Sequence, residues 1–499
     1  MIEHWGIDEN DPSCSVPEHW TVSWQEYKAE MERKREYWEE YNRKNPADPV
    51  LLIETSIVDL AKGRKHFENI LRSKLSAHRI KLLKLSDEEL YKRLDMVHRA
   101  RLTGMFAQYI QKSRKQRLLP GELKKRIDRI DRTNDRVRTF SEMANAIYRK
   151  YLEELSRTSS IDYDELIERP VEIINESHGA CEIRTLDDRR VKLSELRWLM
   201  IDEYQDFSLL FHHLIESIRQ HNSSVRLFCV GDDWQAINAF AGSNLRYFTD
   251  FSSYVKPSET RNLLTNYRSF TNIVELANKF MEGKGEEAIA HSNKVGRIFK
   301  CYTNKVFIEQ RQDRDNTAEA KFDRRFLTLR QVQRKFRNID TGLAVGRMLK
   351  ACHSIITRKE NLGKTIDILS RKRWLSHYYD NLHAFANKLK ETCKEYPIYA
   401  DFDKKVRVGT THSSKGLEAD IVIMLNVVQG EYPMIHPDEE LYEIFGSTPK
   451  DILAEEQRVF YVGMTRARSE LYFFTEEKRE SEFIKEMQLQ EYEVSYVLK

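Results

Sequence analysis

No apolar run in these 499 residues approaches the length of a membrane span, and the first residues carry no signal-peptide pattern. The expectation is a soluble, cytoplasmic chain. Cysteine is sparse: Cys14, Cys181, Cys229, Cys301, Cys352 and Cys393 are scattered, with no C-x-x-C pair. That argues against a zinc ribbon or a disulfide framework and fits a reducing compartment. A dominant charge of one sign is missing too, since 82 Lys and Arg face 79 Asp and Glu for a formal net of +3. No whole-molecule field draws in a polyanion, so any such site has to be a local patch. Neither an internal repeat nor a low-complexity linker is present.

What the chain does have is 40% hydrophobic and 11% aromatic residues over a length that suits two to four domains with proper cores. Two runs are dominated by Lys and Arg, Lys112 to Arg138 and Arg324 to Arg337. Each reads either as a polyanion patch or as a solvated helix face. Helical spacing with few breakers predicts helices over Trp24 to Lys44, Asp59 to Arg79, Asp87 to Lys115 and Asn134 to Arg157, with a strand-like run at Val50 to Ile53. From about Ile161 the texture changes. Short apolar runs at Trp198 to Ile201 and Val225 to Val230 are each followed by a helix-like stretch, the pattern of a parallel sheet with crossover helices. A charged stretch from Lys294 to Arg358 looks helical. Strand and helix signals resume at Thr365 to Leu369, Val406 to Thr410 and Asp420 to Asn426, and close with a helix at Ile452 to Met464 and a strand at Leu471 to Thr475.

Two strand ends carry chemistry. Trp198 to Ile201 runs straight into Asp202-Glu203. A buried parallel strand delivers its C-terminal end to the crevice where α/β sheets bind ligands. There Asp202 suits a hard cation such as Mg2+, and Glu203 suits the orientation and deprotonation of a water attacking a γ-phosphate. Alone, an apolar strand ending in an acidic turn is common. The next strand, Arg226 to Val230, leads into Gly231-Asp232-Asp233-Trp234-Gln235. Gly231 lets the backbone pass close to a phosphate, and Asp232 shares that nucleotide-facing turn. The Gln235 amide can sense a γ-phosphate, and Trp234 offers an aromatic face. Two adjacent strands ending in matched polar clusters are hard to explain as packing.

At this point the chain resembles the UvrD/Rep-type superfamily-1 DNA helicases, and within them the helicase IV branch. Ile201 to Asp206 resembles their motif II, Gly231 to Ser243 motif III, Leu264 to Ser269 motif IV, Thr410 to Asp420 motif V, and Glu456 to Arg468 motif VI. Five motifs stand in order over about 270 residues. Ile161 to Leu166 is similar to the element that precedes motif II. The resemblance implies two RecA-like parallel-sheet α/β domains, the first incomplete, behind a helical accessory region. Residues 1–160 would be that accessory (1B-like) region, 161–257 the remainder of the first motor domain, and 258–499 the second, with a small helical insertion at about 303–362. A large mobile insertion of the UvrD kind is not expected. The resemblance also implies ATP and Mg2+ as cofactors and single-stranded or partly duplex DNA as partner, with 3′-to-5′ movement. Arg268 and Arg466 would be fingers that compensate charge on the γ-phosphate. Tyr267 would stack on adenine, and Glu418 would accept a hydrogen bond from the ribose. Thr411, His412 and Lys415 would face the nucleic-acid strand or relay its presence, while Trp234 and Phe240 would stack on bases. Phe240 reads equally well as a core residue.

One part of such a motor is not in the sequence. No G-x-x-x-x-G-K-[ST] loop occurs, and the near match at Gly363-Lys364-Thr365 has Arg358 in place of the first glycine and runs into a strand. The expectation is a truncated or split polypeptide that needs a phosphate loop from a separate segment. The alternative is a non-hydrolysing remnant that binds nucleic acid or a protein partner. A third reading, nuclease activity of the accessory region, is disfavoured because Glu3 and Glu54 lack the x-Lys partner such a site needs.

Overall fold

The computed structural model describes residues 2–10, 23–46, 49–80, 86, 88–89, 96–131, 134–239, 242–303, 339–375, 381–485, 487 and 489–491. The chain divides into two compact units, Met1–Gly104 with Asp131–Asp135, and Met105–Ile130 with Arg136–Lys499. In the first, β1 (Ile2–Trp5) pairs in parallel with β2 (Ile53–Ser56), in register Ile2 to Ile53. Helix α1 (Trp24–Lys44) contributes Met31 to a small core with Trp5 and Ile7. Helix α2 (Arg64–Ala77) follows. The strand predicted at Val50 to Ile53 thus lies three residues further on, where Ile53 and Thr55 alternate inward.

The second unit is built on parallel strands. Helices α3 (Met96–Lys115, mostly in this unit), α4 (Pro120–Ile127) and α5 (Asp135–Thr158) bury Tyr109, Leu123, Val137, Phe140 and Tyr148 against Leu441, Tyr442 and Phe445. The basic run predicted as a patch or a solvated face is neither at its start. Lys112 and Arg114 are buried, and the Arg114 guanidinium donates to Asp162 at 2.9 and 3.1 Å. Lys115 pairs with Asp164 at 2.6 Å. The Ile161 to Leu166 element therefore fastens the end of α3 to the start of α6 (Glu165–Glu176). The other basic run, 324–337, lies outside the described residues.

After a short hairpin, β3 (Glu182–Arg184) and β4 (Arg190–Lys192), comes β5 (Trp198–Ile201), then α7 (Leu209–His221) and β6 (Arg226–Cys229). Strands β5 and β6 pair in parallel, Trp198 opposite Arg226. Leu199, Ile201, Leu227 and Cys229 point to one face, against Tyr204, Phe207, Ile215 and Tyr247. A two-residue pair follows, β7 (Thr265–Asn266) with β8 (Ile289–Ala290), flanking α8 (Thr271–Phe280).

The larger sheet has six parallel strands in the order β11-β10-β12-β13-β9-β14. These are β9 (Arg297–Tyr302), β10 (Ile366–Ser370), β11 (Val406–Thr410), β12 (Ala419–Met424), β13 (Ala467–Thr475) and β14 (Gln490–Glu491). Both faces are covered, which is why β10, β12 and β13 read as near-continuous apolar runs. Ile366, Ile368, Ile421, Ile423, Tyr472 and Phe474 face α9 (Ile339–Ile356) and α10 (Leu382–Thr392). Leu369, Val422, Met424, Leu471 and Phe473 face α8 and α11 (Pro449–Met464). The predicted helical stretch from Lys294 is corrected at its start: β9 alternates Phe299 and Cys301 inward, a period of two hidden among charges. Lys364 of the Gly363-Lys364-Thr365 near match donates to buried Glu470 at 2.5 Å, and Thr365 to Asp420, so both hold a strand entrance in place.

Candidate functional site

The chain turns sharply at the end of β5. Glu203 sits in the left-handed region at φ 52°, and its N–H is accepted by Asp202 Oδ1 at 2.9 Å. A non-glycine residue held there is strained backbone of the kind that clusters at functional sites. The next N–H, of Tyr204, goes to Val230 O at 2.9 Å, which locks this turn to the end of β6. Gln205 completes the joint: its Nε2 donates to Glu203 Oε2, and its Oε1 accepts the Asp232 N–H at 3.0 Å. A Cβ on Gly231 would stand 2.5 Å from Gln205 Oε1 and 2.8 Å from Phe248. Glycine is needed there because a side chain packs against it, whatever a phosphate requires.

Asp232 then caps the turn, accepting from Trp234 N at 3.0 Å and from Gln235 Nε2 at 2.6 Å. Trp234 is 5% exposed; its Nε1 donates to Lys284 O at 3.0 Å and its ring meets Tyr461 edge-on. Protein therefore covers the aromatic face that the sequence suggested for bases. Phe240 lies outside the described residues.

The larger sheet answers from across the cleft. Helix α11 starts with a reciprocal Thr448–Asp451 cap and Pro449. Just past its end the Arg466 side chain is 1% exposed. Arg466 donates to Val462 O at 3.0 Å, to Leu417 O at 3.2 Å and to Gln235 Oε1 at 3.1 Å. Burial first, then the nearby Arg268 charge, push its pKa down to about 10, so it stays protonated at neutral pH. Lys415 reaches from the turn after β11 to Glu203 Oε2 at 3.3 Å and Asp206 Oδ2 at 2.5 Å, and Asn238 also donates to that Asp206 oxygen. Lys415, expected to face nucleic acid, is thus paired with the carboxylates after β5.

A second group lies beside the first. Asn266 Oδ1 accepts the backbone N–H groups of Arg268 and Ser269, each at 3.0 Å, and shapes the turn after β7. Arg268 Nε donates to Glu418 Oε2 at 2.9 Å and Nη1 to Thr465 O at 3.3 Å. Arg468 takes the other Glu418 oxygen at 2.6 Å. The Arg268 hydrogen bond, more than any other influence, holds the Glu418 carboxyl below its ordinary pKa. Asn266, Tyr267, Arg268, Glu418 and Arg468 line a cavity of about 410 Å3, with the Tyr267 ring exposed and next to His291.

Thr411 and His412 stand behind Lys415. Thr411 is fully buried and shares a 2.6 Å hydrogen bond with the Tyr432 hydroxyl. Burial and then Arg371 push the His412 pKa down to about 4, so its imidazole is neutral. Arg371 itself is held by the buried Glu456, at 2.5 and 3.0 Å.

The structure thus brings Asp202, Glu203, Asp232, Gln235, Lys415 and Arg466 together, sets Tyr267, Arg268 and Glu418 beside them, and buries Trp234 and Thr411. Sequence reasoning gave no role to Gln205, Asp206, Asn238 or Arg468. Gln205 and Asp206 stood inside a quoted motif, but nothing local marked them as cross-links. In the first unit, Glu3 pairs with Lys34 at 2.9 Å and Glu54 with Arg35 at 2.7 Å. Among the described residues no group of three or more His, Cys, Asp or Glu is placed to hold a metal by itself, and no helix is long and apolar enough to cross a membrane.

Comparison with known proteins agrees with the two-sheet arrangement. A family model described as the UvrD/REP helicase N-terminal domain matches residues 29–256, and one described as the UvrD-like helicase C-terminal domain matches residues 302–478. DNA helicase IV of Escherichia coli (strain K12) is 26% identical over 296 residues, covering 58% of this chain and 36% of that one. ATP-dependent DNA helicase PcrA of Leuconostoc citreum is 25% identical over 256 residues, covering 48% and 32%. Putative ATP-dependent DNA helicase YjcD of Bacillus subtilis (strain 168) is 28% identical over 178 residues, covering 34% and 22%. The matched part spans about a third or less of the length of these relatives.

Proposed function

Since this chain belongs to the UvrD/Rep-type superfamily-1 helicase family, with two RecA-like α/β motor domains, we propose that it supplies the hydrolytic and sensing groups of an ATP-driven DNA helicase or translocase moving 3′ to 5′. Residues 161–257 would form part of the first motor domain, 258–499 the second, and 1–160 the accessory region. The observation that carries the reading is the 3.1 Å hydrogen bond from Arg466 to Gln235, which joins the end of α11 to the turn after β6. A γ-phosphate entering there replaces Gln235 as the partner of a buried, permanently charged guanidinium, a change felt on both sheets.

The other roles follow from position. Glu203 orients and deprotonates the attacking water, which requires Lys415 to release it. Arg268 adds a second positive charge to the γ-phosphate. The cavity beside it suits a nucleoside: Tyr267 offers an open ring for adenine, and Glu418 an acceptor for a ribose hydroxyl. Gly231 and Asp232 shape the turn that faces the phosphates. Asp202 fits Mg2+, which takes one or two carboxylates plus phosphates and waters; its Oδ1 takes one backbone N–H, leaving Oδ2 for a cation. When bound, the ion neutralises phosphate charge. Thr411 and His412 relay, rather than touch, a nucleic-acid strand, whereas base contact falls to Phe240, and the buried Trp234 holds the turn before it in place.

The phosphates themselves need a cradle of backbone amides and a lysine, which none of the 499 residues provides in the usual motif. We therefore propose that turnover depends on a phosphate loop supplied by a separate segment. The purified chain should bind a labelled single-stranded oligonucleotide while releasing no phosphate from ATP above background. Failure to bind any single strand removes the helicase reading. Turnover by the chain alone that vanishes in Glu203→Gln removes the dependence on a supplied loop.

A further inference from the structure

The segment Ala236–Ala239 directly follows Gln235, and helix α11 grips both of its ends. Glu455 Oε1 accepts the Ala239 N–H at 2.9 Å, and Arg458 Nε donates to Ala236 O at 2.7 Å. The two residues are three apart on one helix and so lie on one face. Between those grips, Asn238 Nδ2 donates to Asp206 Oδ2, the oxygen that Lys415 also holds. One helical turn beyond, Trp234 packs edge-on to Tyr461 of α11. Neither Glu455 nor Arg458 has another hydrogen bond among the described residues. Their opposite charges attract each other as well, and the hydrogen bonds they make go to the backbone of a segment that belongs, by sequence, to the smaller sheet.

We propose that Glu455 and Arg458 are positioning residues that clamp Ala236–Ala239 to α11, so that the segment follows the larger sheet's helix when the cleft opens or closes. The same helix leads into Arg466, whose partner is Gln235. A helix that holds Gln235 through its terminal arginine and the four residues after Gln235 through Glu455 and Arg458 moves that stretch as one piece. This rests on the reading that Gln235 senses the nucleotide and that the chain beyond Ala239 meets a nucleic-acid strand. The clamp gives those two events a common mechanical element.

Hydrogen exchange at the Ala239 amide reads the clamp directly, and binding of a fluorescein-labelled oligothymidylate of about 20 nucleotides reads its consequence. Glu455→Ala should speed exchange at Ala239 by about tenfold and weaken oligonucleotide binding by a similar factor. Glu455→Gln keeps the accepting oxygen and should restore both. Unchanged exchange in Glu455→Ala overturns the clamp, as does a Glu455→Gln variant that behaves like the alanine one. Should Glu455→Ala fold poorly, Arg458→Met puts the same question from the other end: faster exchange across the segment supports the clamp, and unaltered exchange overturns it. A wild-type chain that binds no oligonucleotide sinks the proposed function, and the exchange comparison then decides the clamp by itself.

Discussion

Residue identity matters most where a titratable group has been denied its charge. His412 is the clearest case, with its pKa pushed down to about 4 by burial and then by Arg371. In the unfolded chain an imidazole takes its proton near pH ~6.5. Between those values the unfolded state binds more protons than the native one, so stability falls as pH drops through this window and is indifferent to pH above it. The whole shift amounts to about 3 kcal/mol, reached only below the folded pKa. The urea midpoint of the native chain should therefore decline from about pH 7 to pH 4 more steeply than that of His412→Gln, which has no proton to refuse. Parallel curves for the two proteins would show that His412 titrates normally. Arg466 illustrates the opposite limit. Its pKa is lowered as well, yet only to about 10, so neither burial nor Arg268 can discharge it where the protein works. A neutral histidine and a charged arginine therefore stand near the same cleft for the same cause, burial, acting on different intrinsic basicities.

Elements meet in this site at their ends, and the ends of β5 and β6 are joined by side chain to backbone rather than by ladder bonds alone. Gln205 spans the two turns, and Gly231 is the point at which nothing larger than hydrogen fits. Gly231→Ala forces Gln205 or Phe248 to move and should cost about 1–3 kcal/mol in urea denaturation, with loss of the Gln205–Asp232 hydrogen bond. A midpoint within error of the native one would mean that the turn has slack the geometry does not show. Much of this level was readable beforehand. Runs such as Trp198 to Ile201 and Val406 to Thr410 match their strands residue for residue, because short apolar or β-branched runs bounded by turn and charged residues carry a strand signal even where, as in both of these, one face or one edge stays open to solvent. The start of β9 was not readable, since its inward Phe299 and Cys301 alternate with Arg297, Ile298 and Lys300 over only six residues. The site's polar ends were legible as clusters, whereas their connections were not. Lys415 pairing with Asp206, and Trp234 turned into the core, depend on how two sheets approach, and local sequence carries no signal for that.

Among the described residues of the second unit, the six-stranded parallel sheet is covered on both faces and the β5–β6 pair on one. Against the six-stranded sheet lie α8 and α11 on one side and α9 and α10 on the other. The β5–β6 pair buries Leu199, Ile201, Leu227 and Cys229, while its opposite face shows Trp198, Met200 and Phe228 at 51%, 74% and 56% exposure. Arg226 lies 5.7 Å over the Trp198 ring and is the only described cation against that indole. Clustered aromatic and thioether surface of this sort, beside two strands that have no further partner strand among the described residues, favours self-association and binds apolar dyes. The isolated chain should therefore enhance the fluorescence of a hydrophobic-surface dye and sediment in a concentration-dependent manner. Replacing Trp198, Met200 and Phe228 together by serine should reduce both effects. It should shift the melting midpoint little, because these side chains already face water and their removal uncovers little buried area. Equal dye binding by the two proteins would place the adhesive surface elsewhere on the molecule. A large fall in midpoint would mean instead that this face is covered in solution.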